Sequence, residues 1–357
     1  MQVGIVGLPQ TGKSTLFDLL TEGSVRRSPG SRNATGAALV PDTRLEVLRE
    51  MFKPRKFSPA QITFVDIPGY TPGELNRSRV NEFFAAVNNA DAFVHVIRAF
   101  TGDADYPALG DINPVRDFEA LETEFMLADL QLVETRLERL EHDAKKGAKV
   151  GGDLPVLRRF REVLEAGRPL RTVSLSPEEK KAMASYRFLS DKPAVIAVNT
   201  SEQAVLSGEY PRRLELEAYA AARSIPVVTF CGTVEAEIAS LPPADRKSFL
   251  AEYHITEPGI ARVARAAYAS VGLIQFFTVG EDEVKAWPIR KGSDALTAAG
   301  KIHTDIARGF IRAEVVSYAD LVAQGSMKAC REQGLVRLEG KDYIVQDGDI
   351  VHFRFAV

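Results

Sequence analysis

The stretch Gly7-Leu8-Pro9-Gln10-Thr11-Gly12-Lys13-Ser14-Thr15 constrains this chain more than any other. It follows the apolar run Val3-Gly4-Ile5-Val6 and opens into Leu16-Phe17-Asp18-Leu19-Leu20. Strand, glycine loop and helix in that order are the context a GxxxxGK[ST] phosphate loop requires. Gly7 and Gly12 allow the backbone N–H groups from Leu8 to Thr15 to turn inward on phosphate oxygens. The positive end of the helix that follows adds to the attraction. Lys13 is expected to bridge the β- and γ-phosphates, and the Ser14 hydroxyl to hold Mg²⁺. The motif therefore predicts a nucleoside triphosphate site on an α/β sheet.

The flanking pattern agrees. Val3–Val6, Ile62–Val65, Phe93–Ile97, Ala194–Val198 and Pro226–Phe230 read as buried strands. Helical patterns at Ser14–Thr21, Arg44–Phe52, Val80–Asn88 and Arg212–Ser224 lie between them. Strands alternating with helices predict a parallel sheet covered on both faces, with ligands at the carboxyl ends of its strands. The phosphate loop, Asp66 and Asn199 each follow a strand and fall on that rim.

Two segments stand apart from this alternation. From Pro114 to about Arg168 the chain is charged and helical, with Met126, Leu130, Val133, Leu137 and Leu140 at alternating spacings of four and three. Leu154, Leu157, Phe160 and Leu164 give a returning stripe after a turn at Lys145–Gly152. A helical hairpin inserted in the sheet domain is expected. The lysines at its tip would suit an acidic partner or simply a solvated end. After one more helix, Ala261–Ser270, the character becomes β-rich. Leu273–Val279, Val284–Ile289, Arg312–Val316, Leu335–Leu338, Tyr343–Val345 and Ile350–Phe355 read as strands of a small sheet gripping one helix. The expected domains are 1–113 with 169–272 (nucleotide binding), 114–168 (hairpin) and 273–357.

Composition narrows the classes. The 357 residues are 45% hydrophobic and 26% charged, with a net charge of −3. No global cationic field draws the chain onto nucleic acid or anionic lipid. From residue 273 onward, 11 Lys and Arg face 12 Asp and Glu, so an RNA role there needs a local basic face. Cys231 and Cys330 are too few for a disulfide framework and suit a reducing cytoplasm. No apolar run approaches the roughly 20 residues of a membrane span. The N-terminus enters a strand at once, which leaves no expected place for a signal peptide.

Two further motifs carry chemistry. Asp66-Ile67-Pro68-Gly69 follows a strand and completes a DxxG pattern. Asp66 is expected to reach Mg²⁺ through water and the Gly69 N–H to sense the γ-phosphate. Asn199-Thr200-Ser201-Glu202 stands where a guanine-nucleotide protein carries NKxD. Glu202 is one methylene longer than the aspartate that accepts from guanine, and the Asn199 amide can pair with adenine N6 and N7. This tilts the expected base toward adenine. Cys231-Gly232-Thr233 is expected to bring backbone N–H groups to the base. His95, inside an apolar strand, reads as a packed core residue, and neither it nor His303 is assigned catalysis.

GLPQTGKST, DIPG, NTSE, the helical insert and the tail AAGKIHTDIARGFIRAEVVSYADL with RLEGKDYIVQDGDIVHFRF together resemble the Obg-like, YchF-type ATPases. The resemblance covers nearly the whole chain and is strongest from about Leu273 to Phe355, which looks like that family's ubiquitin-like TGS domain. It implies a slow cytoplasmic hydrolase binding ATP at least as well as GTP, associated with the ribosome (its RNA or proteins) and with translation or stress responses. DNA and membrane partners are not implied. Tyr70 stands where Ras-like enzymes place a water-orienting glutamine, which the family likewise lacks, so it fits a slow hydrolase. The chain departs from the family pattern at two places. The first switch, Arg27–Gly36, is shortened, so Gly30 falls at the metal-binding threonine and Thr35 is the substitute metal ligand. A glycine-rich second switch is replaced by Thr71–Arg79. Three readings follow: an ATPase, a GTPase, and a binding module that holds nucleotide with little hydrolysis.

Overall fold

Eight consecutive buried residues, Ala92–Ala99, mark the middle of the first sheet. Such a run needs cover on both faces, which a parallel sheet receives from its crossover helices. The computed structural model describes residues 1–22, 25–27, 34–101, 107–146 and 152–356. The expected hairpin turn at 147–151 and the first-switch segment at 28–33 lie outside them.

The strands in chain order are β1 (Gln2–Val6), β2 (Arg26–Arg27), β3 (Ala34–Leu39), β4 (Lys56–Ser58), β5 (Gln61–Asp66), β6 (Ala92–Ala99), β7 (Ala194–Thr200), β8 (Val227–Phe230), β9 (Leu273–Thr278), β10 (Glu283–Arg290), β11 (Phe310–Val316), β12 (Arg337–Glu339) and β13 (Ile350–Phe355). They form a seven-stranded sheet, β2-β3-β5-β1-β6-β7-β8, and a six-stranded sheet, β12-β11-β13-β9-β10-β4. In the first, β1 pairs in parallel with β5 and β6, and β6, β7 and β8 continue in parallel. The carboxyl ends of β1, β5, β7 and β8 therefore share one rim. All five strands expected for this lobe are present. β3, rich in alanine and glycine, had no apolar signature to reveal it.

The chain divides into two compact units, Met1–Ala37 with Thr63–Ala267, and Ala38–Ile62 with Tyr268–Val357. The segment Ala38–Ile62 reads in sequence as part of the first lobe. Instead it folds with the C-terminal residues, because β4 adds to the edge of β10 through Lys56–Ser58 against Glu283–Lys285. Its helix, Thr43–Phe52, is capped by Asp42, which accepts from the Arg44 N–H. Arg44 then reaches Asp347 at 2.8 Å and lies over the Phe277 ring. In this unit a mixed sheet grips the helix Ala295–Ile302, whose Ala295, Ala298 and Ala299 pack on Phe276, Val315 and Phe353. The small alanine face allows the helix to sit close to the sheet. Tyr343–Val345 is not a strand; Ile344 makes one isolated bridge to Asp294.

In the first unit the long helix Pro114–Lys145 and the returning helix Asp153–Glu165 form the expected hairpin. Val133, Leu137 and Leu140 from one pack with Val156, Leu157, Phe160 and Leu164 from the other, and Met126, Leu130 and Leu154 border the cluster. Burial of each large side chain contributes about 2 kcal/mol. A polar latch fixes the base of the hairpin. Asp129, 2% exposed, accepts from Leu189 N–H at 2.8 Å, Ser190 N–H at 2.7 Å and Ser190 Oγ at 2.6 Å. Burial pushes its carboxyl up to about 6 even so. Among the described residues no helix is long and apolar enough to cross a membrane.

Replacing Asp129 with alanine strands three donors in a dry site. Asp129→Ala is expected to destabilise the first unit by about 3 kcal/mol, read as a shifted urea midpoint. A loss below about 1 kcal/mol would show that hairpin packing alone fixes this joint.

Candidate nucleotide site

The loop after β1 takes backbone conformations that few residues accept. Gly7 has φ +154° and Gly12 has φ +93°. A methyl at Gly7 would lie 2.5 Å from the Val96 carbonyl oxygen, and one at Gly12 would lie 2.3 Å from Asn199 Nδ2. Gln10 adopts φ +60° between them. The bends direct the loop around the N-terminus of the helix Lys13–Thr21, whose first N–H groups have no acceptor within the helix. Lys13 is 7% exposed and donates from Nζ to the Leu8 carbonyl at 2.6 Å; Thr11 Oγ1 donates to the same oxygen. Burial lowers the Lys13 ammonium to about 8, with the charge of Asp66 acting in the opposite direction.

Ser14 Oγ donates to Asp66 Oδ2 at 2.8 Å, so the first residues of the helix meet the end of β5. These hard oxygen donors, one hydroxyl and one carboxylate, suit a divalent cation that keeps most of its water and takes phosphate oxygens. Gly69 closes on the loop from the same side. A methyl there would stand 2.9 Å from Lys13 Nζ and 3.0 Å from Pro9 Cα. The DxxG segment thus lies close against the loop, and a side chain at Gly69 would press on the lysine and on the Pro9 backbone.

At the opposite side Asn199 clasps two loops. Its Nδ2 donates to the Thr11 carbonyl at 3.1 Å, and its Oδ1 accepts from the Gly232 N–H at 3.0 Å. The side chain is buried, with the residue 6% exposed. The loop after β1 and the segment after β8 are thus joined to β7 by this one amide.

The geometry can be set beside known proteins. A model described as 50S ribosome-binding GTPase matches residues 2–131, and a model of the YchF GTPase C-terminal region, described as a protein of unknown function (DUF933), matches 273–356. A ribosome-binding ATPase YchF from Haemophilus influenzae is 41% identical over 360 residues, covering 99% of each chain. One from Bacillus subtilis is 38% identical over 370 residues, covering 100% of each. The solved structure of a Schizosaccharomyces pombe YchF GTPase superposes with a TM-score of 0.84 at 29% identity, covering 99% of this chain and 97% of that one. The chain belongs to the YchF family. It has the full-length YchF architecture of P-loop domain, helical region and TGS-like C-terminal domain.

Within this YchF frame several expectations change. The Gly232 N–H was expected to face the base, but it is engaged by Asn199. The Asn199 amide, expected to pair with adenine, bonds to Thr11 and Gly232. Glu202 heads the helix Glu202–Ser207, and its Oε1 accepts from Tyr253 OH at 2.5 Å. The motif reading missed Tyr253, which lies 51 residues away outside any local pattern. Cys231 is buried and begins the helix Gly232–Ser240. A cavity of about 290 Å³ adjoins this end, bordered by Thr200, Phe230, Cys231, Glu235, Tyr253 and Arg262.

Thr35 does not join the metal side. It lies in β3, and the next residue, Gly36, packs on Thr21. Thr21 stands seven residues beyond Ser14, about 10 Å along the helix axis. Strand formation by Ala34–Leu39 fixes Thr35 in the sheet instead of leaving it on a free loop. Tyr70 is 5% exposed, stacks on Phe83 at 4.6 Å between ring centroids, and donates to Glu124 Oε2 at 2.9 Å. It is a core residue facing the hairpin. His95 is fully buried in β6, as expected, and His303 caps the helix Thr304–Arg308 through Nδ1.

Two outcomes follow. Free Lys13 is about half protonated at pH 8, while a bound triphosphate favours its charged form, so binding takes up about half a proton there and less at pH 6.5. Calorimetry in buffers of different ionisation heat reads this uptake; Lys13→Arg, charged throughout, should remove it. Gly12→Ala, which forces the Asn199 clasp open, is expected to weaken nucleotide binding at least about tenfold in the same titration.

Proposed function

We propose that this chain is a slow, Mg²⁺-dependent ATPase that acts on the ribosome in the cytoplasm. The observation that carries the reading is the buried Lys13 set between the loop and the Ser14–Asp66 pair. In this reading the N–H groups of Leu8–Thr15 cradle the phosphates. Lys13 neutralises charge on the transferring phosphoryl group, and Ser14 and Asp66 hold Mg²⁺, Asp66 through water. The ion supplies Lewis-acid stabilisation of the phosphate oxygens when bound. Gly69 reports the γ-phosphate to the second switch. Asn199 retains one N–H beyond its bond to Thr11, enough to serve a purine acceptor, and Glu202, Cys231 and Gly232 border the base.

Partner and base come from the relatives: those from Haemophilus influenzae and Bacillus subtilis are named ribosome-binding ATPases. The proposed division of labour is nucleotide binding by 1–113 and 169–272, with the hairpin 114–168 and the module 273–357 as the partner-facing parts. A second reading, GTP as substrate, has two findings behind it: the Schizosaccharomyces pombe relative is described as a GTPase, and the model matching residues 2–131 as a ribosome-binding GTPase. A third, nucleotide held with little hydrolysis, is favoured by the packing of Tyr70 where Ras-like enzymes keep a glutamine.

Titration with ATP and GTP in Mg²⁺ should give tighter ATP binding; a strong GTP preference would refute the adenine reading. Steady-state hydrolysis should be slow, rise with ribosomes, and fall to background in Lys13→Ala. Wild-type turnover equal to that background would favour the binding module.

A further inference from the structure

We propose that Tyr253 is a specificity-determining residue, holding the Glu202 carboxylate in a form that accepts adenine and disfavours guanine. This deepens the ATP reading and rests on it. Tyr253 follows the helix Pro243–Glu252, and its ring stacks on Phe249 at 4.8 Å between centroids. With Phe249 it borders the cluster of Cys231, Val234 and Ile238, which begins at the loop after β8. Val205, one turn beyond Glu202, borders the same cluster. The ring is thus anchored on one rim loop while its hydroxyl reaches the helix that starts from the other. Tyr253 OH donates to Glu202 Oε1 at 2.5 Å. That bond holds the phenol up to about 12, so it remains a donor at every physiological pH.

The chemistry of the two bases turns this contact into selection. Guanine presents two adjacent donors, N1–H and the N2 amine, and a carboxylate that recognises it must offer both oxygens. Each carboxylate oxygen accepts more than one hydrogen bond, so the phenol acts through orientation: with Oε1 tied to Tyr253, Glu202 is held from turning both oxygens edge-on to the two guanine donors, and one donor is left poorly paired. Adenine presents a single amine, N6, beside the N1 acceptor, and makes no demand for a second carboxylate oxygen. Discrimination then comes from a mismatch built against guanine as much as from a match to adenine. Tyr253 acts through Glu202, so it is a positioning residue with no contact to the reacting phosphate.

The test measures ATP and GTP affinities for wild type, Tyr253→Phe, Glu202→Ala and the double variant. Tyr253→Phe keeps the ring and its packing on Phe249. It should tighten GTP relative to ATP about tenfold, while the same change in the Glu202→Ala background leaves the ratio unmoved. An unchanged ratio in Tyr253→Phe, an equal weakening of both nucleotides, or a shift that persists without Glu202 would each overturn the proposal. The wild-type ratio tests the ATP reading separately: a wild-type preference for GTP defeats that reading, whereas the shift between variants reports on Tyr253 alone.

Discussion

The nucleotide rim depends on one buried amide. Asn199 binds the Thr11 carbonyl on one side and the Gly232 N–H on the other, so the loop after β1 and the segment after β8, far apart in sequence, share a single fixed point on β7. Its position is set by β7, whose seven residues are all buried and which pairs in parallel with β6 and β8. The clasp explains why Gly12 has no alternative. The amide nitrogen occupies the space where a Cβ would be. A buried amide also leaves little freedom for error, because each broken bond strands a backbone group away from water, at about 1–3 kcal/mol each. The site is therefore rigid on its base side, and the phosphate loop inherits that rigidity.

On the phosphate side the controlling term is desolvation. Lys13 lies in a place that works against its own charge, with a carbonyl for a partner and Asp66 nearby. An ammonium held in this way has been stripped of most of its hydration before any ligand arrives. A polyphosphate then meets a cation that needs an anion, with little water left to remove. The Ser14–Asp66 hydrogen bond lies beside Lys13 on the exposed side of the loop. In the proposed reading a divalent cation would replace this bond, held by the hydroxyl directly and by the carboxylate through water.

Much of this was legible in the sequence because the signals were local. The phosphate loop, DxxG and the Asn199 position each consist of a strand followed at once by the residues that act, and the heptad seam from Met126 to Leu140 packs as its spacing implies. What the sequence hid was non-local. β4 is three residues long and pairs with β10 more than two hundred residues later, so nothing near Lys56–Ser58 announces its allegiance to the second unit. Ala34–Leu39 carries no large side chain beyond its final leucine, and its strand character comes from its place in the sheet, between the edge strand β2 and β5. That placement is also what removes Thr35 from the metal side. Tyr253 was invisible for the same reason, since only the packing of the 243–254 segment brings it to Glu202.

The altered second switch has a physical consequence for rate. Where a water-orienting amide would stand, Tyr70 has turned into the core, stacked on Phe83 and tied to Glu124 on the long helix of the hairpin. Restoring a polar group there would leave an unfilled aromatic site among Phe83, Phe84 and Phe125, a loss of about 3 kcal/mol or more. The chain gains a link between the segment after DxxG and the hairpin, and it forgoes positional control of the attacking water. In the proposed mechanism catalysis then rests on charge neutralisation by Lys13, the loop N–H groups and a bound cation, which would stabilise the phosphoryl group without aligning its nucleophile. A slow intrinsic rate is the expected result of that architecture. The Tyr70–Glu124 bond ties the residue next to Gly69 to the long helix of the hairpin.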